Sequence, residues 1–282
     1  MPKAEIATIV AFLEGPTCDQ AGNVYFTETK THKIMKYSTD GALSVFRDNS
    51  NAANGLVFDL EWRLIACEGN PANPRVTRTN IGTGRVEVLA SREMGLKLTA
   101  PNDVTFDNRG RLYFTDLPGG TVHRIDTDGR VVKILDQPGI QRPNGITISP
   151  DDRTLYLVEA NQVENGARML RAYDLRADGT VANMRVFHNF YPGRSADGIS
   201  IDSQGNVIAA AGLHATRGSH ETLDTKPGIH VFSAQGRQLD YIPTGEDTIT
   251  NCCYGGPDLK TLYVTAGKTL YRIQMDVPGT RR

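Results

Sequence analysis

Long hydrophobic runs are missing from this 282-residue sequence. No stretch approaches the roughly eighteen apolar residues from which a membrane-spanning helix is built. The amino-terminal segment MPKAEIATIVAFLEG also lacks the basic start, long apolar centre and small-residue cleavage site of a signal peptide. We therefore expect a cytoplasmic protein with no membrane partner.

Charge of one sign is also missing. The 31 Lys and Arg residues balance the 32 Asp and Glu residues to a net charge of −1, and they are scattered along the chain. This balance excludes the basic stripe of a nucleic-acid-binding protein. Cysteine is scarce, with Cys18, Cys67, Cys252 and Cys253 only. Their spacing is not that of a zinc site, and we expect reduced, buried thiols.

Helical periodicity is nearly absent, and only Ser91–Leu98 is compatible with a short helical turn. What the chain has instead is a repeated strand, turn and strand, most clearly at Ala100–Asp116. There an alternating segment leads into the turn Asn108–Gly110, and a second segment rich in β-branched and aromatic residues follows. Such a pattern predicts a β-hairpin.

Similar units recur about once every forty to fifty residues. The other five are Gly15–Glu28, Asn54–Glu68, Pro143–Glu159, Ala196–Ala211 and a degenerate copy at Thr250–Ala266. A strand-based repeat of this length is typical of a β-propeller with about four strands per blade. We therefore predict an all-β, six-bladed β-propeller that occupies residues 1–282 as a single domain.

Closure of the ring is predicted from its ends. The strand-like segment Ile6–Leu13 precedes the first repeat, and the last repeat supplies little after Tyr271–Gln274, so we expect the two to pair and remove an exposed sheet edge. Such a closed ring needs no partner for stability, which favours a monomer over a weak homodimer. The outer strands are predicted as Lys33–Tyr37 with Ala42–Phe46, Arg75–Thr79 with Arg85–Leu89, and Thr121–Ile125 with Val131–Leu135.

An oxygen-bearing residue stands at the start of every repeat. These residues are Glu14, Asn54, Asn102, Asn144, Asp197 and Asn251. Innermost strands line the axis of a propeller, so equivalent side chains converge there. Carboxylates and amides gathered in a narrow channel are costly to desolvate unless a cation binds them, and an all-oxygen set favours Ca²⁺ or Mg²⁺, with Mn²⁺ possible.

A purely structural interpretation competes with the metal site. Asn-Gly and Asp-Gly pairs are common in turns, which is sufficient for Asn54, Asn144 and Asp197 taken singly. It does not account for Glu14 or for the shared phase of all six residues. The long polar loop Gly212–Gly228, inside the fifth repeat, is expected to lie over one mouth of the channel.

The order of these motifs resembles the SMP-30/gluconolactonase/luciferin-regenerating-enzyme-like family of six-bladed propellers. The resemblance rests on Glu14-Gly-Pro, Pro-Asn102-Asp, Pro-Asn144-Gly and Asp197-Gly, with YFTD at Tyr113–Asp116 and TLYVTAG at Thr261–Gly267. It implies one divalent ion, Ca²⁺ foremost with Mg²⁺, Mn²⁺ or Zn²⁺ as alternatives, held by Glu14, Asn144 and Asp197. It further implies that Asn102 is a fourth ligand or a substrate contact.

Two positions depart from the family pattern. Vertebrate members have a sugar-binding Arg where this chain has Ala100, and an LPGG turn follows YFTD without the acidic residue of those members. Substitutes for the missing contacts are available in Arg75, Arg194, His214 and His220, although we expect each to be an ordinary exposed side chain.

The resulting prediction is a metal-dependent lactonase that opens a small sugar lactone such as gluconolactone. The ion would act as a Lewis acid, and Asp197 would deprotonate the attacking water or attack directly. One alternative is an arylesterase or phosphotriesterase at the same site. The other is a non-catalytic propeller that binds a ligand or a protein.

Overall fold

Period-2 segments separated by tight turns form antiparallel strands throughout residues 3–282, the part of the chain that the computed structural model describes. The strands assemble into six sheets of four strands each. Over residues 3–282 the one helical element is a 3-10 helix at Arg92–Met94, inside the segment where a helical turn is predicted. No helix in this range is long and apolar enough to cross a membrane.

Strand β1 (Ala4–Ile9) precedes the first blade. Each following blade begins with its innermost strand. Blade one comprises β2 (Leu13–Cys18), β3 (Val24–Glu28), β4 (Lys33–Tyr37) and β5 (Leu43–Arg47). Blade two comprises β6 (Ala53–Phe58), β7 (Leu64–Glu68), β8 (Arg75–Thr79) and β9 (Val86–Ser91). Blade three comprises β10 (Pro101–Phe106), β11 (Leu112–Asp116), β12 (Thr121–Ile125) and β13 (Val131–Leu135).

Blades four to six repeat this order. Blade four comprises β14 (Pro143–Ile148), β15 (Thr154–Ala160), β16 (Arg168–Leu175) and β17 (Val181–Asn189). Blade five comprises β18 (Ala196–Ile201), β19 (Val207–Ala211), β20 (Gly228–Phe232) and β21 (Gln238–Pro243). Blade six comprises β22 (Ile249–Gly255), β23 (Thr261–Ala266), β24 (Thr269–Gln274) and β1.

The innermost strands form a closed ring. Strand β2 contacts β6, and contacts continue through β10, β14, β18 and β22 back to β2. The core lies between blades, as where Val57 and Ile65 of blade two pack with Phe106 and Phe114 of blade three. The six-bladed β-propeller prediction is therefore confirmed.

Closure of the last blade by an amino-terminal strand is confirmed as well. Strand β1 pairs antiparallel with β24, with Ala4 opposite Ile273. The predicted bounds Ile6–Leu13 are wrong at the carboxyl end, because pairing stops at Ile9 and Leu13 already belongs to β2. The chain must leave the outer edge of blade six there to reach the axis in blade one.

The predicted outer strands agree closely with the observed ones. Strands β4, β8, β12 and β13 have the predicted bounds, and β5 and β9 each begin one residue later than predicted. Each predicted pair is also the observed pair, since β4 pairs with β5, β8 with β9 and β12 with β13 across a glycine-containing turn.

Each innermost strand shifts register shortly after it begins. In blade three Pro101 pairs with Asp116 while Val104 pairs with Phe114, so one extra residue stands on the inner strand. Blades one, two, four, five and six have the same irregularity. A bulge of this kind re-aims the side chains that it contains. An extra residue near the start of the innermost strand is therefore common to all six blades, although it falls one residue later in blade one and earlier in blade six.

The carboxyl-terminal segment crosses the mouth at which the innermost strands end. Gly279 donates its backbone N–H to the Leu259 carbonyl at 2.8 Å, and Thr280 donates to the Ile201 carbonyl at 3.1 Å. Arg282 donates to the carbonyl oxygens of Phe106 and Pro150 in blades three and four. The opposite mouth, where the inner strands begin, holds the candidate site.

Candidate active site

A polar cavity of about 220 Å³ opens where the innermost strands begin. Its wall contains all four residues predicted to form the site, namely Glu14, Asn102, Asn144 and Asp197. They come from blades one, three, four and five, and each is the second residue of its innermost strand. The shared bulge explains the convergence, because equivalent backbone positions direct equivalent side chains toward the axis.

Two of the six repeat-start residues are not part of the cavity wall. Asn54 has the shared phase but does not line the cavity. Asn251 is the third residue of its innermost strand and not the second, so the prediction that all six residues occupy equivalent positions is wrong for blade six. Ile249 pairs with Ala266 as Pro101 pairs with Asp116, which makes Thr250 the equivalent of Asn102 and Asn251 the equivalent of Asp103. Asn251 Nδ2 accordingly donates to Asp103 Oδ2 at 3.2 Å, one step deeper in the channel.

Burial and mutual repulsion act on the carboxylates of the site. The pKa of Glu14 is raised well above its ordinary value, first by burial and then by the charges of Asp197 and Asp103. The pKa of Asp197 is also raised by burial, although Arg194 and Asn144 oppose the shift. The buried carboxylates of Glu14, Asp103 and Asp197 therefore carry more negative charge than the Arg194 guanidinium balances, and a cation would relieve this excess.

Asp197 is held by two donors. Asn144 Nδ2 donates to its Oδ1 at 2.6 Å, and an Arg194 terminal nitrogen donates to its Oδ2 at 2.5 Å. Arg194 also donates to the carbonyl oxygens of Ile249 and Gly212. The expectation of an exposed Arg194 is wrong, since it is 6% exposed and lines the cavity. The compact guanidinium network fixes the carboxylate of Asp197 in one orientation.

The other three residues that could replace the missing sugar contacts do not line the cavity. Arg75 forms an ion pair with the buried Glu68 at 2.6 Å. The ring of His214 makes a hydrogen bond with the Thr244 carbonyl at 2.8 Å. His220 does not line the cavity, but its carbonyl accepts a hydrogen bond from Arg168. None of these three side chains lies where it could supply the contact that Ala100 lacks.

A larger groove of about 500 Å³ lies between blades two and three. None of the predicted site residues lines it. Its charged side chains include Arg63, which pairs with Asp59, and Arg78, which pairs with Glu87. Because these charges neutralise each other locally, the small axial cavity with its unbalanced carboxylates is the better candidate for chemistry.

Comparison with known proteins identifies the family of this chain. The family described as SMP-30/Gluconolactonase/LRE-like region matches residues 12–268. The chain belongs to this family. A gluconolactonase of Zymomonas mobilis is 25% identical and aligns with 99% of this chain and 82% of that protein. A pentonolactonase of Haloferax volcanii is 29% identical, with 86% of this chain and 76% of that protein aligned.

A solved structure gives the same result. A gluconolactonase from Xanthomonas campestris matches with a TM-score of 0.81 at 25% identity, over 98% of this chain and 90% of that one. This member of the SMP-30/gluconolactonase family therefore has the same overall fold as the Xanthomonas campestris gluconolactonase.

Acidic residues at the ends of second strands position the site in this family member. Asp116 accepts backbone N–H groups of Thr99 and Ala100, each at 2.7 Å. Glu159 accepts those of Gln141 and Arg142 at 2.8–3.1 Å. Both carboxylates fasten the loop that leads into an inner strand. The sequence signal for this role is the acidic residue that ends YFTD (Tyr113–Asp116) and YLVE (Tyr156–Glu159). The sequence analysis did not assign these two carboxylates a positioning role.

Three further wall residues with charged or amide side chains were not predicted from the sequence. Arg142 stands two residues before Asn144, in blade four, which is the phase that Ala100 has in blade three. Gln162 follows β15, and Glu221 comes from the long loop after β19. The loop prediction thus has structural support, since part of this loop reaches the cavity. The site that results is polar on most of its circumference.

Proposed function

We propose that this protein is a metal-dependent lactonase that opens a small sugar lactone, such as gluconolactone. The observation that carries the proposal is the convergence of carboxylate and amide oxygens from four blades on one small, polar cavity. Family membership and relatives named gluconolactonase and pentonolactonase support the same reaction class.

The donor set fits a hard divalent cation. Glu14, Asp197, Asn102 and Asn144 offer only oxygen atoms, which is the preference of Ca²⁺ and Mg²⁺. Within residues 3–282 no three His, Cys, Asp or Glu side chains are grouped so that they hold a metal ion alone. The two asparagine amides would therefore be required as ligands. Ca²⁺ is our first choice, and Mg²⁺, Mn²⁺ and Zn²⁺ are the competitors.

The chemistry divides between the ion and the protein. When bound, the ion would polarise the lactone carbonyl and stabilise negative charge on its oxygen. Asp197 removes a proton from the attacking water as a general base. Asn144 and Arg194 hold this carboxylate, and Asn102 serves as a ligand or as a substrate contact.

The test measures acid release from gluconolactone, a second aldonolactone, an aliphatic lactone and an aryl ester. Chelator-treated protein receives Ca²⁺, Mg²⁺, Mn²⁺ or Zn²⁺ in turn. We expect ion-dependent turnover of a sugar lactone that falls about 100-fold or more in Asp197→Asn, the usual contribution of a general base. Asn54→Ala is the matched control, because Asn54 has the same strand position but lies outside the cavity.

Each result has a definite meaning. Full hydrolytic rate with unchanged ion affinity in Asp197→Asn would exclude Asp197 as the base. Preference for the aryl ester over every lactone would favour the esterase alternative. Tight ion binding without turnover of any compound would leave a non-catalytic binding propeller.

A further inference from the structure

Glu221 is a buried carboxylate in the cavity wall without a cationic partner. Glu221 is 4% exposed, and its carboxylate accepts one hydrogen bond, from Ser219 Oγ at 2.9 Å. No ion pair to Glu221 occurs in the described part of the chain. A buried carboxylate with one hydroxyl donor leaves most of its acceptor capacity unused. Donors from a ligand would complete it.

Ser195 provides a second, independent observation at the same cavity. The residue is fully buried and lies in the cavity wall. Among the described residues its hydroxyl has no hydrogen-bond partner. Buried polar groups are normally paired, so the cavity wall contains a second residue whose hydrogen-bonding capacity is not met within the protein.

Arg168 explains how a long loop is held over the cavity. Its guanidinium is fully buried and makes no ion pair within residues 3–282. It donates instead to four backbone carbonyls, those of Asn161, Val163, Pro192 and His220, at 2.7–3.1 Å. These carbonyls belong to three separate loops. The last of them is next to Glu221, so Arg168 fixes the backbone that presents this carboxylate.

We propose that Glu221 is a specificity-determining residue that accepts hydrogen bonds from hydroxyl groups of a polyhydroxylated lactone, and that Arg168 positions it. The proposal rests on the lactonase function proposed above. A wall that offers an uncompensated carboxylate and a free hydroxyl favours substrates that supply donors. It penalises a lactone without hydroxyl groups, because the wall groups then stay buried and unpaired.

The test compares δ-gluconolactone with δ-valerolactone, which has the same ring and no hydroxyl substituents. In Glu221→Ala the ratio of kcat/KM for gluconolactone to that for valerolactone should fall at least tenfold, mainly through KM for gluconolactone. Glu164→Ala is the matched control, since Glu164 is an exposed carboxylate outside the cavity. It should leave the ratio unchanged.

A binding measurement separates this proposal from the lactonase function itself. Calorimetry with 1,5-anhydro-D-glucitol uses a neutral sugar ring that lacks the carbonyl and does not react. Weaker binding to Glu221→Ala than to the parent protein supports the contact even if no lactone is turned over. An unchanged selectivity ratio with unchanged sugar binding overturns it. Reduced affinity for the divalent ion in Glu221→Ala overturns it as well, because Glu221 would then be a ligand.

Arg168 is tested with Arg168→Lys and Arg168→Gln, after thermal melting has shown that each variant is folded. Either variant should reproduce the selective loss of Glu221→Ala, because the loop loses its four-carbonyl support. A folded Arg168 variant that keeps the parent selectivity ratio overturns the positioning role. Equal losses on both lactones also overturn it. The Glu221 measurements decide the specificity role independently of this arm.

Discussion

Asp103 and Asn251 meet across the channel, one step below the candidate ligands. In the four other blades glycine has this position, and a Cβ at any of these four glycines would clash with a neighbouring strand. A Cβ at Gly55 would lie 2.4 Å from Asp103 Oδ1, and one at Gly198 would lie 2.0 Å from Asn251 Cγ. The Asn-Gly and Asp-Gly pairs of those blades are therefore needed for close approach at the axis rather than for a turn.

The burial of Asp103 makes stability depend on pH. Burial raises the pKa of its carboxyl from 3.8 to about 7, against the hydrogen bond from Asn251. With a raised folded-state pKa, the group costs nothing below about pH 4, where both states are protonated. Its cost grows as pH rises through about 7 and is then constant. At about 1.4 kcal/mol per pKa unit the full cost is about 4 kcal/mol.

We therefore predict that Asp103→Asn changes the free energy of unfolding of chelator-treated protein differently at pH 8 and at pH 4. The change at pH 8 should be more stabilising, by up to about 4 kcal/mol. Urea unfolding at several pH values measures the difference. Asp276→Asn serves as the control, since Asp276 is exposed and should give no such trend. A difference between Asp103→Asn and the parent that does not vary with pH would contradict the prediction.

At the scale of elements, the segment after β24 connects several blades below the channel. Gly279 and Thr280 bond to blades six and five, and Arg281 stacks on Trp62 of blade two with 3.5 Å between guanidinium carbon and ring centre. Arg282 pairs with Asp152 at 2.8 Å and reaches blades three and four. The segment therefore links five blades across the mouth opposite the candidate site.

Removing the Arg282 side chain should lower stability without affecting the site. We expect Arg282→Ala to reduce the free energy of unfolding by about 3 kcal/mol, because a buried guanidinium with several acceptors is lost. Urea denaturation measures this, and kcat/KM for the lactone should stay within twofold. Arg153→Ala, which removes a side chain that is 85% exposed, should change stability by less than about 0.5 kcal/mol. A matching small effect in Arg282→Ala would contradict the role of the segment.

At the scale of the whole molecule, the ring depends on β1 to cover the edge of β24. Without β1 the outer edge of blade six would present unpaired backbone groups to other chains. We predict that deletion of residues 3–10 lowers the free energy of unfolding by about 4 kcal/mol, at about 1 kcal/mol per lost ladder hydrogen bond, and promotes association.

Urea unfolding and light scattering check this deletion. Glu5→Ala is the control on the same strand, since it removes only an exposed ion pair with Arg272. It should leave both measurements unchanged. A deletion variant that stays monomeric with the parent midpoint would show that the ring does not need this closure.

Sequence reasoning was sufficient for the architecture. The alternation of apolar residues and the glycine turns are local properties of the backbone, and their repetition specified six blades and the closing strand. The same logic placed Glu14, Asn102, Asn144 and Asp197 in one wall, because equivalent positions in equivalent blades point the same way.

Only the tertiary structure decided features that depend on segments far apart in the chain. The phase of Asn251 depends on pairing with β23, and the burial of Arg194 depends on the carbonyls of Gly212 and Ile249. Glu221 reaches the cavity through a loop that Arg168 holds from another blade. The sequence by itself thus determined the fold and the positions of the four candidate oxygen ligands, since both follow from short-range periodicity. It could not determine the charge balance and polar wall, since those arise from contacts between distant residues.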